Sequence, residues 1–194
     1  ARNFGVKKSN TSFIAFLDGD DYWYPNHLEN LFSIISKHPD HSWYAAAYDK
    51  KRSSKLTSPM ASPIRDKGSY WMGEVDDFFK NSYIDSLINS SSVCMKKDFF
   101  NSLNGFNNAI THGEDTDLWI RAALKSSIIF SNKITVTINL NSQNRSSRIP
   151  PHKRKRFQIN DFEVAEKSKP SLKKFLDLNR YSLAIQHNVS GDFS

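Results

Sequence analysis

Phe13-Ile-Ala-Phe-Leu17 runs directly into Asp18-Gly-Asp-Asp21, an apolar stretch that ends in three carboxylates around one glycine. An unbroken apolar run of this length, rich in Phe, Ile and Leu, predicts a central strand of a mainly parallel sheet, covered on both faces. Its charged end has to reach water, and in open α/β sheets ligands sit outside the carboxyl ends of the strands. Carboxylates this close repel one another. A hard divalent cation with oxygen ligands is the simplest way to hold them ionised together. Gly19 permits the tight backbone that turns Asp18 and Asp20 toward one ion. The plainer use of Asp20 or Asp21, capping the helix that Tyr22-Trp-Tyr-Pro25 introduces, employs only one acid.

Outward from this stretch, Leu28, Leu31, Phe32 and Ile35 fall at i, i+3, i+4 and i+7 and predict an amphipathic helix over residues 26–38, stopped by His38-Pro39. Ser42 to Tyr48 reads as the next strand, giving β-α-β order and a parallel pairing with a right-handed crossover. Residues 49–70 turn to Lys, Arg, Ser and Pro without an apolar period and read as a mobile surface loop. Glu74 to Phe79 reads as helical, and Leu87 to Met95 holds a strand. Asp98 caps a short helix that Asn104-Gly105 closes. A second acidic cluster, Gly113-Glu-Asp-Thr-Asp117, then opens the helix Leu118 to Leu124. Acids in a first helical turn suit the dipole by themselves. If the two clusters meet in the fold, one carboxylate of the second can take a proton from a nucleophile. Ile128 to Phe130 and Ile134 to Ile138, joined by Ser131-Asn-Lys133, read as a hairpin or two edge strands. His152-Lys-Arg-Lys-Arg156 is a basic run followed by two helices.

The composition suits a single folded domain, because 38% hydrophobic and 13% aromatic residues over 194 positions can build a core. The net charge of +7 suits phosphorylated ligands, anionic membranes or nucleic acid without choosing among them. A single cysteine, Cys94, rules out an internal disulfide and a cysteine zinc site; it reads as a small core residue. No apolar run approaches the roughly 18 residues of a membrane span.

Ala1-Arg-Asn-Phe-Gly5, the strand into Leu17-Asp-Gly-Asp-Asp21, Trp23 and Pro25 beyond it, Asn104-Gly105-Phe106 and His112-Gly-Glu-Asp-Thr-Asp-Leu-Trp119 occur in that order over residues 1–140. Together they resemble a family 2 glycosyltransferase of the GT-A fold. The resemblance implies an α/β architecture, a mixed and mainly parallel sheet flanked by helices, with residues 1–140 as a partial GT-A domain and 141–194 as a basic, helical extension. It implies inverting transfer of a sugar from a nucleotide-sugar donor to an acceptor hydroxyl on a glycan or lipid-linked acceptor, in bacterial-type surface polysaccharide or glycoconjugate synthesis.

Asp18 and Asp20 correspond to the Asp-Xaa-Asp element that holds the donor through Mg2+ or Mn2+, with Asp20 the more direct ligand and Asp21 beside them. Asp115 corresponds to the general base, supported by Glu114. Arg2 and Asn3 match positions near the donor nucleotide. His112 and Trp119 are candidates for acceptor or phosphate contact, as is Trp71 for the acceptor. Members of the family carry an N-terminal β-α-β portion that builds the base pocket. Here it is not seen, so the chain reads as a C-terminal fragment, expected to be inactive alone. The resemblance implies a cytoplasmic location with peripheral contact at the inner membrane face, and no nucleic-acid partner. Two competing readings use other features. A nucleic-acid or anionic-surface module would rest on the basic run and need no metal. A nucleotidyltransferase or phosphohydrolase would also use paired acids.

Overall fold

The computed structural model describes residues 1–58, 62–142, 149–150 and 153–189. The expectations for His152 and for part of the 49–70 loop lie outside them. The chain opens with helix α1 (Arg2–Lys8) and strand β1 (Phe13–Ala15), then β2 (Tyr22–Trp23), helix α2 (His27–Lys37), β3 (Trp43–Arg52), β4 (Lys55–Thr57) and β5 (Met72–Val75). There follow β6 (Val93–Lys96), α3 (Lys97–Ser102), α4 (Glu114–Lys125), β7 (Ile128–Asn139), α5 (Glu163–Ser168) and α6 (Pro170–Val189).

The sheet is mixed and flanked by helices, in the order β1-β6-β3-β7-β2, with β4 added to β3 and β5 to β7. The expectation of a mainly parallel sheet is corrected in its balance. Among the described strands only β3 and β7 pair in parallel, and the other pairings are antiparallel. The expected neighbours β1 and β3 do run in the same direction, but β6 lies between them and pairs antiparallel with both. The β-α-β crossover therefore spans one strand, and β1 lies at the edge of the described sheet rather than at its centre. The carboxyl ends of β1, β3 and β7 consequently point the same way, toward the acidic residues.

Several local departures have identifiable causes. Helix α2 buries His27, Asn30, Leu31 and Ile34 and leaves Leu28 and Phe32 exposed, a face rotated from the expected stripe. Polar residues on β7 select it: His27 Nδ1 lies 2.8 Å from Thr135 Oγ1, and Ser131 Oγ donates to Asn30 Oδ1 at 3.1 Å. Ser131-Asn-Lys133 makes no turn either. The Asn132 amide N–H groups donate to the carbonyls of Ile64 and Gly68, in the segment before β5, at 2.7 and 2.9 Å, and one long strand with register shifts against β3 results. Part of the expected 49–70 loop is a hairpin of β3 and β4, turned at Ser53 with φ of 53°. Of the expected helix Glu74 to Phe79, Glu74 and Val75 end β5, which pairs with the start of β7, and residues 76–79 are bend and turn leading to a short 3-10 stretch, Lys80–Ser82.

Cys94 is buried, and burial pushes its thiol up to about 12, so it is an inert core residue. The main core also takes in Ile159, Phe162, Leu172, Phe175 and Leu176, so the helices that follow the basic run pack on the body of the domain. No helix among the described residues is long and apolar enough to cross a membrane.

One turn fixes α1 against α4. Gly105 sits at φ of 61°, and a Cβ there would meet Asn3 Oδ1 at 2.8 Å and the Phe100 ring at 2.9 Å. Gly105→Ala is expected to cost about 1–3 kcal/mol, from overpacking and a left-handed backbone. The midpoint of urea unfolding measures it, and an unchanged midpoint would contradict this reading of the turn.

Candidate active site

The first acidic cluster leaves β1 at the carboxyl end of the sheet, and its three carboxylates have different surroundings. Asp18 is half-buried, and its Oδ1 accepts from Arg2 Nε at 3.2 Å and Nη2 at 2.5 Å. Asp20 is exposed. Asp21 accepts from Ser91 Oγ at 2.5 Å and from the Asn139 backbone N–H at 3.0 Å, and so ties the β1 end to the β7 end. Burial raises the Asp21 carboxyl above its ordinary range, these two hydrogen bonds oppose the rise, and the charges of Asp20 and Asp18 add to it. With both oxygens engaged by the fold, Asp21 shapes the loop.

Ser91 is the hub of this loop, and no sequence motif marked it. Besides Asp21 it receives the Asp18 backbone N–H at 3.0 Å, and its carbonyl accepts from the Trp23 indole at 2.6 Å. Its signal in the sequence is the polar run Asn89-Ser-Ser-Ser92 set against an apolar strand. Asn89 caps that run as a 3-10 turn.

The second cluster opens α4. Gly113 takes φ of 79° before it, and a Cβ there would meet the Phe157 ring at 3.0 Å. Glu114 Oε1 accepts from Arg2 Nη1 at 2.9 Å, so a single guanidinium joins two carboxylates about half the chain apart in sequence. A cleft of about 500 Å³ lies between them, lined by Arg2, Asp18, Gly19, Phe106 and Glu114 among others. Asp115 is half-buried beside Glu114, and its Oδ1 accepts the Thr116 N–H at 2.7 Å. Burial raises the Asp115 carboxyl above its ordinary value, and the charge of Glu114 adds to this. A carboxylate whose affinity for protons is raised, next to a residue that lines the cleft, has the character of a proton acceptor.

Asp117, the last acid of the cluster, is buried and paired with Arg121 at 2.5 Å. Arg121 also donates to the carbonyls of Leu103 and Gly105, so this pair is structural. Asn3 is likewise committed: its amide exchanges bonds with the Phe106 backbone at 2.8 and 3.0 Å. It therefore positions the Gly105 turn rather than offering free groups to a nucleotide.

The basic run folds back onto this site. Thr111 and His112 donate their backbone N–H groups to the Lys155 carbonyl at 2.7 and 3.2 Å, and Arg154 and Arg156 both reach Gln186 of α6. His112 is half-buried with Nδ1 lacking a partner among the described residues. Burial lowers its pKa, Arg154 and Arg156 lower it further, and Glu114 opposes them. Trp119 is in the core against Trp43 and Phe106. Trp71 lies under the Lys67 ammonium at 4.6 Å.

Uncharacterized glycosyltransferases of Rickettsia conorii and Rickettsia typhi are 24% identical over 158 residues and 22% identical over 141 residues, covering 78% and 70% of this chain. The chain spans 25% and 42% of their lengths. The crystal structure of S. aureus TarS 1-349 in complex with UDP-GlcNAc superposes with a TM-score of 0.60 at 16% identity, covering 86% of this chain and 44% of that one. The same protein in complex with UDP gives 0.56 at 15% identity, covering 95% and 61%. These likenesses establish the mixed α/β fold. The model of the glycosyltransferase-like family 2 matches residues 1–168, most of the length of the chain, and the chain belongs to that family.

Proposed function

We propose that the chain carries the reaction centre of an inverting glycosyltransferase, which moves a sugar from a nucleotide-sugar donor to an acceptor hydroxyl in the synthesis of a bacterial-type surface polysaccharide or glycoconjugate. One observation carries the reading: Arg2 bridges Asp18 and Glu114, so the two acidic clusters flank one cleft. One cluster is then available to the leaving group and the other to the nucleophile. The acceptor oxygen attacks the anomeric carbon from the face opposite the diphosphate, the carbon–oxygen bond to the diphosphate breaks, and Asp115 takes the hydroxyl proton. Glu114 keeps that base's affinity for protons high through its charge. Arg2 supplies positive charge where the diphosphate departs.

The site also fits a divalent cation held jointly with a donor. Among the described residues no group of three or more His, Cys, Asp and Glu is arranged to hold an ion alone. Magnesium, however, is held through one or two carboxylates and substrate phosphates while keeping several waters. Exposed Asp20 and half-buried Asp18 are the carboxylates for it. Bound there, Mg2+ or Mn2+ would neutralise charge on the leaving diphosphate.

Thermal unfolding of a protein that joins this chain to the upstream β-α-β portion the family resemblance implies, against a panel of nucleoside diphosphates with and without manganese, tests the donor half. One nucleotide, at about a hundredfold excess over its Kd, is expected to raise the transition by about 5–10 °C only when metal is present. Asp20→Ala abolishes that shift. If no nucleotide shifts the wild-type protein under any metal condition, the transferase reading fails.

A further inference from the structure

Arg2 and a divalent cation make competing claims on one carboxylate. Asp18 Oδ1 accepts from Arg2 Nε at 3.2 Å and from Nη2 at 2.5 Å, while Nη1 is given to Glu114 Oε1 at 2.9 Å. Of the two carboxylates suited to the ion, the protein thus neutralises Asp18 itself and leaves Asp20 exposed to water. One exposed carboxylate holds Mg2+ weakly, because that ion gives up its hydration reluctantly. The second oxygen of Asp18 offers no way round. It belongs to the same carboxyl, so an ion there sits beside the like charge of the guanidinium.

The cleft gives Arg2 an alternative partner. Among the described residues that line it, Arg2 carries the only Lys or Arg side chain, so a diphosphate entering between Asp18 and Glu114 has this guanidinium as its counter-charge. Five N–H donors in a planar fork match phosphate oxygens as well as they match carboxylates. The side chain of Arg2 is 29% exposed, which leaves it room to turn. Its contact with the Phe106 ring, at 5.1 Å from guanidinium carbon to centroid, is compatible with more than one direction of the fork. What sets the present direction is the pair of carboxylates, and a stronger anion can reset it.

We infer that Arg2 is an internal counter-ion that regulates the cation site: it keeps Asp18 from a divalent ion until a diphosphate draws the guanidinium away, and Asp18 is then free to join Asp20 on the ion. This regulation rests on the transferase reading for its place in catalysis. Its consequence is coupled binding. Diphosphate and cation each bind the protein more tightly in the presence of the other, by the same factor, because linkage between two ligands is reciprocal. The cation alone is held back by the protein's own charge, so the site loads as a unit.

Equilibrium dialysis of manganese against the 194-residue chain tests it, with inorganic pyrophosphate as the diphosphate probe, which needs no base pocket. Manganese pyrophosphate formed in solution distributes equally between the chambers, so the excess on the protein side is bound ion. For wild type, the total manganese at half-occupancy is expected to fall about tenfold when equimolar pyrophosphate is added. Arg2→Met is expected to bind manganese alone about tenfold more tightly than wild type, the low end for charge-assisted hydrogen bonds between partly exposed side chains, and to lose most of the pyrophosphate effect. Arg2→Lys, which keeps a charge without the fork, is expected to gain about threefold and carries the test if Arg2→Met does not fold. Adding Asp18→Asn to either variant cancels the gain. A gain in neither variant, a gain that survives Asp18→Asn, or a wild-type manganese requirement that pyrophosphate leaves unchanged overturns the inference. The nucleotide panel above separates the two ideas. A metal-dependent nucleotide shift in the wild type, with no gain in the Arg2 variants, removes the counter-ion role and leaves the transferase. The gain and the pyrophosphate effect without any nucleotide shift keep the counter-ion role and remove the transferase.

Discussion

Asp115→Asn is expected to lower transfer by ~10²–10⁴-fold, the usual contribution of a positioned base, and to leave the protein at least as stable as wild type at neutral pH. The two effects share one cause. Burial first and Glu114 second raise the Asp115 carboxyl above its ordinary 3.8. Between that ordinary value and the raised one, the folded protein binds more protons at Asp115 than the unfolded chain does. Stability falls as pH rises through this window, because the fold must then carry a poorly solvated charge. Asparagine removes the charge and keeps an oxygen for the Thr116 N–H. Melting profiles from pH 4 to 8 should therefore show the largest advantage of the variant at the neutral end and convergence at the acid end. Wild-type transfer should decline toward acid pH with an apparent pKa above that of an ordinary aspartate, and Glu114→Gln should move the decline to lower pH. A variant that retains full transfer would remove Asp115 from the mechanism.

The same residues show what could be read from the sequence. The acid clusters were legible because charge at the end of an apolar run is locally costly, and a local cost leaves a local pattern. The meeting of the clusters was not. It depends on Arg2 reaching both Asp18 and Glu114, a consequence of strand order that only the fold supplies. Helix α2 was found by its period, yet its inward face was misassigned, because hydrophobicity alone ranks Leu28 and Phe32 above His27 and Asn30. The partners of that histidine and asparagine, Thr135 and Ser131, lie about a hundred positions downstream. Ser131-Asn-Lys133 misled in the same way. Ser131 and Asn132 donate to groups from elsewhere in the chain, Asn30 and the Ile64 carbonyl, and tertiary context overrides local preference. Asn3 and Asp21 stood out as polar residues near a site, and only their hydrogen bonds show that the fold uses them itself.

Arg2→Met is the complementary expectation: donor-dependent transfer falls by at least about a hundredfold, and the domain loses about 1–3 kcal/mol. Methionine keeps much of the apolar stem that packs toward Phe106, over whose ring the guanidinium now lies at 5.1 Å. What disappears is the charge and its fork. Arg2 gives Nε and Nη2 to Asp18 and Nη1 to Glu114, and these bonds and charges outweigh the burial that would otherwise lower its pKa. The stability figure is set at the modest end for charged hydrogen bonds because the three side chains remain about 30% exposed and solvent screens them. Without the guanidinium, Asp18 and Glu114 face the same cleft uncompensated, and their repulsion opens the space in which donor and acceptor must meet. Arg2→Lys separates geometry from charge. A single ammonium restores positive potential but cannot present two divergent edges to two carboxylates, so it should recover more of the stability than of the transfer. Equal recovery of both by lysine would mean that Arg2 acts only as a charge, and full transfer by Arg2→Met would show that the two clusters work without being joined.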